Sequence, residues 1–271
     1  MKHAIFADLD GTLLQDNHKF SKITKKTIKQ IQDKGIPFVV TTGRLASDAI
    51  RQAKKLKVHK YNGYVLANNG SAAYSFATNS FLWMMIFTDE EIKKLFEFTY
   101  NKCKVHFFSN NGTYVYEKGE NSFYWSKVMK TRYKIIDAPD QIAEDITHAS
   151  VIAHEPLSDS AAAQLVDELK ALLPLLDVTQ YNNRVFEISA KGISKGSALR
   201  FLSHHLGIPI ENTFSFGDSY NDIELIKQAG TGVAVNNAID EIKALAQEIS
   251  LSNKENGPAL YLRDKILKNE I

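Results

Sequence analysis

A chain of 271 residues with 44% hydrophobic and 24% charged residues is long enough for two domains or one large α/β domain, and its composition is that of a folded protein. Its 33 basic and 31 acidic residues leave a formal charge of +2, so no overall field draws it to nucleic acid or to an anionic membrane, whereas a small anionic ligand needs only local charge. The single cysteine, Cys103, excludes an intrachain disulfide and a thiolate zinc cluster and points to a reducing, cytoplasmic setting. The N-terminus meets Asp8 before a signal-peptide core can accumulate, and apolar runs such as residues 81–87 fall well short of the roughly 18 residues of a membrane helix.

In chain order, residues 4–7 and 36–40 read as short buried strands, the first stopping at acids and the second at Thr41-Thr42-Gly43. Between them Ser21 can cap a helix on which Ile23, Ile28 and Ile31 recur on one side, with Gly35 at its end. A helix over residues 45–56 and a strand over 64–67 continue the alternation, which implies a parallel sheet with right-handed crossovers. From Trp83 the texture changes. A helix over 89–101 precedes strand-like residues 104–108 and 113–117, joined through the turn signal Asn110-Asn111-Gly112. A strand at 151–153, a helix over 159–172 and strands within 175–188 complete a region with a mixed or antiparallel sheet. After Ser194 the alternation resumes: a helix to Leu206, a strand at 213–216, a helix over 222–229 and a strand at 232–235. The fold expected is α/β, a discontinuous Rossmann-like parallel-sheet core (residues 1–82 and 190–271) carrying an inserted α+β cap (residues 83–189).

Ligands of open parallel sheets bind beyond the carboxyl ends of the strands. Asp8-Leu9-Asp10-Gly11-Thr12 follows the first strand, Thr41-Thr42-Gly43-Arg44 the second and Gly217-Asp218-Ser219-Tyr220-Asn221-Asp222 a later one, while Lys195 opens a helix. Acids gathered at one end of a buried sheet repel each other and need a cation, and hard oxygen donors without histidine point to magnesium. Magnesium suits phosphate chemistry. Asp8 can then attack phosphorus as a carboxylate nucleophile, and Asp10 can protonate the departing alkoxide and later take a proton from water. The Thr42 hydroxyl and the amides around Leu9 and Gly43 can donate to phosphate oxygens, and Lys195 adds positive charge.

These segments and their order resemble the four motifs of the haloacid-dehalogenase-like hydrolases, and within them the Cof-type phosphatases, whose large cap lies between the second and third motifs. The resemblance spans essentially the whole chain. It implies Asp8 as nucleophile and magnesium ligand, Asp10 as acid/base and ligand through its backbone carbonyl, and Asp218 as a further ligand. Thr42, Gly43, Lys195 and Asn221 would hold phosphate, Asp222 would support the metal site, and Asn69-Gly70 resembles a family loop that faces the site. Lys191, ahead of the third motif, and Pro258, in the segment 252–258, depart from the usual residues.

The reading is a magnesium-dependent phosphatase acting on a small-molecule phosphomonoester, a sugar phosphate or phosphorylated cofactor, through an aspartyl-phosphate and without an organic cofactor. A phosphomutase or phosphotransferase is the enzymatic rival. A sugar-phosphate-binding sensor is the other, and the presence of Asp8, Asp10, Lys195 and Asp218 argues against it. No nucleic-acid or membrane partner is expected, and the chain reads as a monomer or weak homodimer. Thr42-Gly43-Arg44 by itself reads as a strand-to-helix turn, with Arg44 an ordinary surface arginine. Gly230-Thr231-Gly232 lacks a third glycine at Val235 and reads as a turn feeding a strand. His204 and His205, adjacent on a helix, face different ways and suit the surface. Cys103 packs in the cap, and of Phe107, Phe108, Tyr114, Tyr116, Tyr124 and Trp125 most are core, with a substrate-reading side chain open among them.

Overall fold

The computed structural model describes residues 3–100, 102–116 and 132–268. The chain divides into two compact units, Met1–Trp83 with Ser194–Ile271, and Met84–Ile193. Its first stretch runs β1 (Ala4–Ala7), α1 (Lys22–Asp33), β2 (Phe38–Thr41), α2 (Ala46–Lys55), β3 (Tyr64–Ala67), β4 (Ala72–Ser75) and β5 (Ser80–Met84). The middle stretch runs α3 (Asp89–Thr99), β6 (Cys103–Ser109), β7 (Gly112–Tyr116), β8 (Arg132–Ile135), β9 (Ile146–Ala153), α4 (Asp159–Leu172), β10 (Leu176–Gln180) and β11 (Val185–Ala190). The last stretch runs α5 (Lys195–His205), β12 (Thr213–Gly217), α6 (Ile223–Gln228), β13 (Thr231–Val235), α7 (Asp240–Leu245), β14 (Glu248–Ser250) and α8 (Gly257–Leu262).

The first unit is built on a sheet of order β14-β13-β12-β1-β2-β3-β4-β5. The strands from β14 to β3 pair in parallel, and β4 folds back antiparallel on β3. Phe6, Val39 and Leu66 pack with Ala198, Leu199 and Leu202 of α5, while Ile5, Phe38, Val40 and Val65, of opposite parity, are also buried, so both faces are covered. That is why these strands read as continuous apolar runs. The expected parallel sheet therefore gains three strands that the sequence does not announce, β4, β5 and β14. Ala72-Ala73-Tyr74-Ser75 has little strand character of its own and takes it from the exposed edge of β3.

Ser21 caps α1, its hydroxyl accepting from the Thr24 amide at 2.9 Å, and the chain leaves the helix through Gly35 at φ +77°. The expected stripe needs one correction: Ile28 and Ile31 are buried, but Ile23 is 45% exposed. At about 100° per residue, Ile23 lies about 140° away from Ile28, and Thr24 and Thr27, four positions before Ile28 and Ile31, take the buried face instead. The elements α7, β14 and α8 also went unread, being only six, three and six residues long.

In the second unit the order is β10-β11-β9-β6-β7-β8, antiparallel except for the β7–β8 pair. Thr88 and Glu91 close a capping box at the start of α3. Ile92, Leu95 and Phe96 of α3 and Ala162 and Leu169 of α4 form one core with Val105, Phe107, Val151, Phe186 and Ile188. Cys103, Phe107 and Tyr114 belong to this core, and Tyr116 packs against it. The hairpin turn is closed by Ser109, whose hydroxyl accepts from the amides of Asn111 and Gly112. Asn101, Glu117, Tyr124 and Trp125 lie outside the described residues. Among the described residues no helix is long and apolar enough to cross a membrane.

On the strand positions of opposite parity, Phe108 stacks on His148 with ring centroids 4.4 Å apart, and His106 is fully buried. The Thr147 hydroxyl stands 3.1 Å from the Phe108 carbonyl and 3.1 Å from His148 Nδ1. Burial pushes His148 down to about 3 and His106 down to about 4. Below about pH 6.5 the unfolded chain therefore binds protons that both rings refuse in the fold, and this contribution to stability is lost as the pH falls towards those values. Urea titrations from neutral to mildly acidic pH should show His148→Phe with a shallower pH slope than the wild type, by about 1.4 kcal/mol per pH unit.

Candidate active site

The site is built entirely from the first unit, at the carboxyl ends of β1, β2 and β12 and the start of α5. The Asp8 amide donates to the Phe216 carbonyl at 3.0 Å, so Asp8 prolongs the β1–β12 pairing by one residue. The chain then turns over Leu9–Leu13, where Gly11 takes φ +75°. A β-carbon on Gly11 would lie 2.3 Å from Asp218 Oδ2, so both the backbone angle and the approach of the fourth motif demand glycine. Thr12 donates to Asp218 Oδ1 at 2.6 Å, and Asn237 Nδ2 donates to the Gly11 carbonyl at 2.7 Å.

After β2, the Thr42 amide donates to the Leu66 carbonyl at 2.9 Å, and the Thr42 hydroxyl accepts from the Arg44 amide at 3.2 Å. Asn69, itself left-handed at φ +52°, donates its amide to the Thr42 carbonyl and accepts from Asn221 Nδ2 at 2.9 Å. A β-carbon on Gly43 would stand 2.9 Å from Asn69 Oδ1, so Gly43, Asn69 and Asn221 are brought together. After β12, Asp222 Oδ2 accepts from the amides of Asp218 and Ser219 at 3.0 and 3.2 Å, folding the third loop around its own carboxylate.

Lys195 joins these loops. It opens α5 behind the Ser194 cap, its side chain is fully buried, and its Nζ donates to Asp8 Oδ1 and to Asp222 Oδ1, each at 2.7 Å. Burial opposes its charge, but the Asp222 and Asp8 carboxylates outweigh burial and hold the ammonium protonated, above its ordinary range. Burial also pushes the Asp8 carboxyl well up; Lys195 opposes this, and Asp222, Asp218 and Asp10 reinforce it. Asp218 is raised to about 7, first by burial and then by Asp222. One ammonium does not balance these acids.

Oxygens of Asp8, Asp218 and Asp222 lie within 4.8 Å of one another. An all-oxygen donor set with excess negative charge fits Mg2+. Both Asp222 oxygens already accept hydrogen bonds from Lys195, Asp218 and Ser219, which suits a supporting position. The Asp10 carboxylate is turned instead to Arg44, in a two-pronged contact at 2.6 and 2.5 Å. The surface reading of Arg44 is thereby corrected: it is 3% exposed, and it also pairs with Asp48 at 2.7 Å. The short spacing of Arg44 and Asp48, four apart across the start of α2, was the available signal. Thr12 and Asn237 were likewise missed as partners. His204 and His205 are exposed, and Thr231 opens β13 as its turn reading requires.

A family profile described as haloacid dehalogenase-like hydrolase matches residues 5–262. The chain belongs to this family. It is 30% identical to the 5-amino-6-(5-phospho-D-ribitylamino)uracil phosphatase YcsE of Bacillus subtilis, over 97% of this chain and 95% of that one. It is 27% identical to a second Bacillus subtilis phosphatase of the same description, YitU, over 97% of each. Its fold matches a haloacid dehalogenase-like hydrolase from Bacteroides thetaiotaomicron with a TM-score of 0.86 at 23% identity, covering 97% and 99% of the two chains. It also matches a subclass IIB sugar phosphatase of the superfamily, with a TM-score of 0.81 at 20% identity, covering 97% and 98%. The Cof-type resemblance and the α/β fold expected from sequence are borne out, and this hydrolase is a phosphatase.

Because Lys195 is the buried counter-ion of two carboxylates, Lys195→Met should lower the unfolding free energy at neutral pH by about 3–5 kcal/mol, read from denaturant midpoints. Gly11→Ala should cost about 1–3 kcal/mol and abolish most turnover, because its β-carbon displaces the Asp218 carboxylate.

Proposed function

We propose that this phosphatase hydrolyses small-molecule phosphomonoesters through an aspartyl-phosphate on Asp8. The observation that carries the reading is the buried Lys195 bridging Asp8 and Asp222 with Asp218 in reach, in a chain whose relatives include phosphatases. Asp8 attacks phosphorus, an acyl-phosphate bond forms and the ester P–O bond breaks, with Asp10 passing a proton to the departing alkoxide. Water then attacks the acyl-phosphate, Asp10 takes back a proton, and inorganic phosphate leaves with Asp8 restored. The Lys195 ammonium, the Thr42 hydroxyl, the amides of Leu9 and Gly43 and the Asn221 side chain hold the phosphoryl oxygens. The Thr42 hydroxyl accepts from the Arg44 amide, so its own hydrogen is directed elsewhere.

Asp8, the Asp10 carbonyl and Asp218 would hold Mg2+, with Asp222 supporting them, and the bound ion supplies charge neutralisation at the phosphoryl oxygens. The chemistry belongs to the first unit, and selection of the leaving group to the second, the inserted cap. The substrate class is a sugar phosphate or a phosphorylated cofactor or precursor. The similarity to YcsE makes 5-amino-6-(5-phospho-D-ribitylamino)uracil the first compound to assay.

Phosphate release from a panel of that compound, sugar phosphates and nucleotides should depend on Mg2+, cease with chelator, and fall by about 10³-fold or more in Asp8→Asn. Product analysis decides the route: free phosphate supports hydrolysis, and an isomeric ester would mean a mutase. Mg2+ should also raise the melting temperature. Asp218, titrating at about 7, makes the fold hold a proton that the unfolded chain releases, so its contribution is present at low pH and lost as the pH rises through that value. The Mg2+ shift should therefore be larger near about pH 8 than near about pH 5, and equal shifts would count against this metal site.

A further inference from the structure

Arg44 is buried, yet it spends its fork on a carboxylate that is not: the Asp10 side chain is 35% exposed, and Arg44 is 3% exposed. Nε donates to Asp10 Oδ2 at 2.6 Å and Nη2 to Asp10 Oδ1 at 2.5 Å, while Nη1 donates to Asp48 Oδ2 at 2.7 Å. The arginine is itself held in place. Asp48, 3% exposed on α2, also accepts from Arg51, and the Arg44 carbonyl accepts from the Asn68 amide at 3.0 Å. His18 Nδ1 stands 3.5 Å from Asp10 Oδ1, but it is 47% exposed and contacts one oxygen only.

Burying a guanidinium is a poor way to gain stability, because its desolvation cancels most of the attraction. What a two-pronged contact does supply is orientation, since parallel hydrogen bonds fix the plane of a carboxylate as well as its position. Asp10 needs that. It sits at φ −79° and ψ 125° in the non-helical part of its turn, with its side chain partly exposed. The fork takes one acceptor direction on each Asp10 oxygen, and a carboxylate has about four in all, so directions stay open for proton transfer.

We propose that Arg44, pinned by Asp48, is a positioning residue that holds Asp10 in the orientation from which it exchanges protons with the leaving oxygen and with water. This rests on the reading of Asp10 as the acid/base. Arg44 keeps its own protons throughout; the proton moves from Asp10 to the ester oxygen as the P–O bond breaks, and from water to Asp10 as the acyl-phosphate is hydrolysed.

The test compares kcat/KM, which reports events up to leaving-group departure, for an alkyl phosphate and for 4-nitrophenyl phosphate, whose leaving group needs no proton. Arg44→Met and Arg44→Lys should lower the alkyl value about a hundredfold, mainly through kcat, and the aryl value about tenfold less than that. Asp48→Asn should show the same bias at smaller size, and Asp10→Asn the same bias at full size. Circular dichroism and thermal melts establish that each variant is folded; if the Arg44 variants do not fold, the bias in Asp48→Asn decides. Equal losses on both esters, or losses confined to KM, overturn the proposal. A bias in Asp10→Asn that is missing from the Arg44 and Asp48 variants overturns this inference alone. Turnover surviving in Asp8→Asn, or no bias in Asp10→Asn, overturns the underlying mechanism instead.

Discussion

A single buried ammonium organises the first unit. Lys195 reaches from the first turn of α5 to Asp8 at the end of β1 and to Asp222 beyond β12, tying together parts of the chain that are 187 and 27 residues away from it. A cation in that position is costly unless carboxylates surround it, and the carboxylates are costly unless a cation lies among them. Each element is tolerable only in the presence of the others. The excess of acids over that one ammonium raises Asp8 and Asp218, and it is the same excess that a divalent ion would neutralise.

The loops can meet because the parallel sheet delivers its strands with their carboxyl ends on one side. The remaining requirement is steric. Where the first loop meets the third, Gly11 leaves the space that the Asp218 carboxylate fills, and Thr12 then bonds that carboxylate. Where the second loop meets the β3 end, Gly43 leaves room for Asn69, whose left-handed backbone presents its side chain to Asn221. Side-chain chemistry and backbone geometry are inseparable here, since a methyl group at either glycine would separate the polar partners.

The second unit follows a different rule. Its sheet packs α3 and α4 through Val105, Phe107, Val151 and Phe186, and it buries His106, Phe108 and His148 at positions of opposite parity. Two neutral histidines in such surroundings make this unit's stability sensitive to acid, whereas the raised carboxylates of the first unit titrate with the opposite sign.

The motif residues, their order and the α/β alternation were legible in the sequence. Fully buried parallel strands are continuous apolar runs, and the segments at Asp8, Thr42 and Asp218 each follow one of them, whereas Lys195 opens a helix. The Ser21 cap and the Asn110-Asn111 turn were legible for the same reason, being decided by neighbours in the chain. Position alone did not settle Ile23, whose exposure follows from which face α1 turns to the sheet, or β4, which becomes a strand only against β3. Nor did it settle Arg44, whose partners are one carboxylate on the helix that follows it and another 34 residues earlier. Local sequence determines which groups are present and which backbone they favour; pairing between distant groups depends on desolvation and close packing, which exist only once the sheet has brought its loops together.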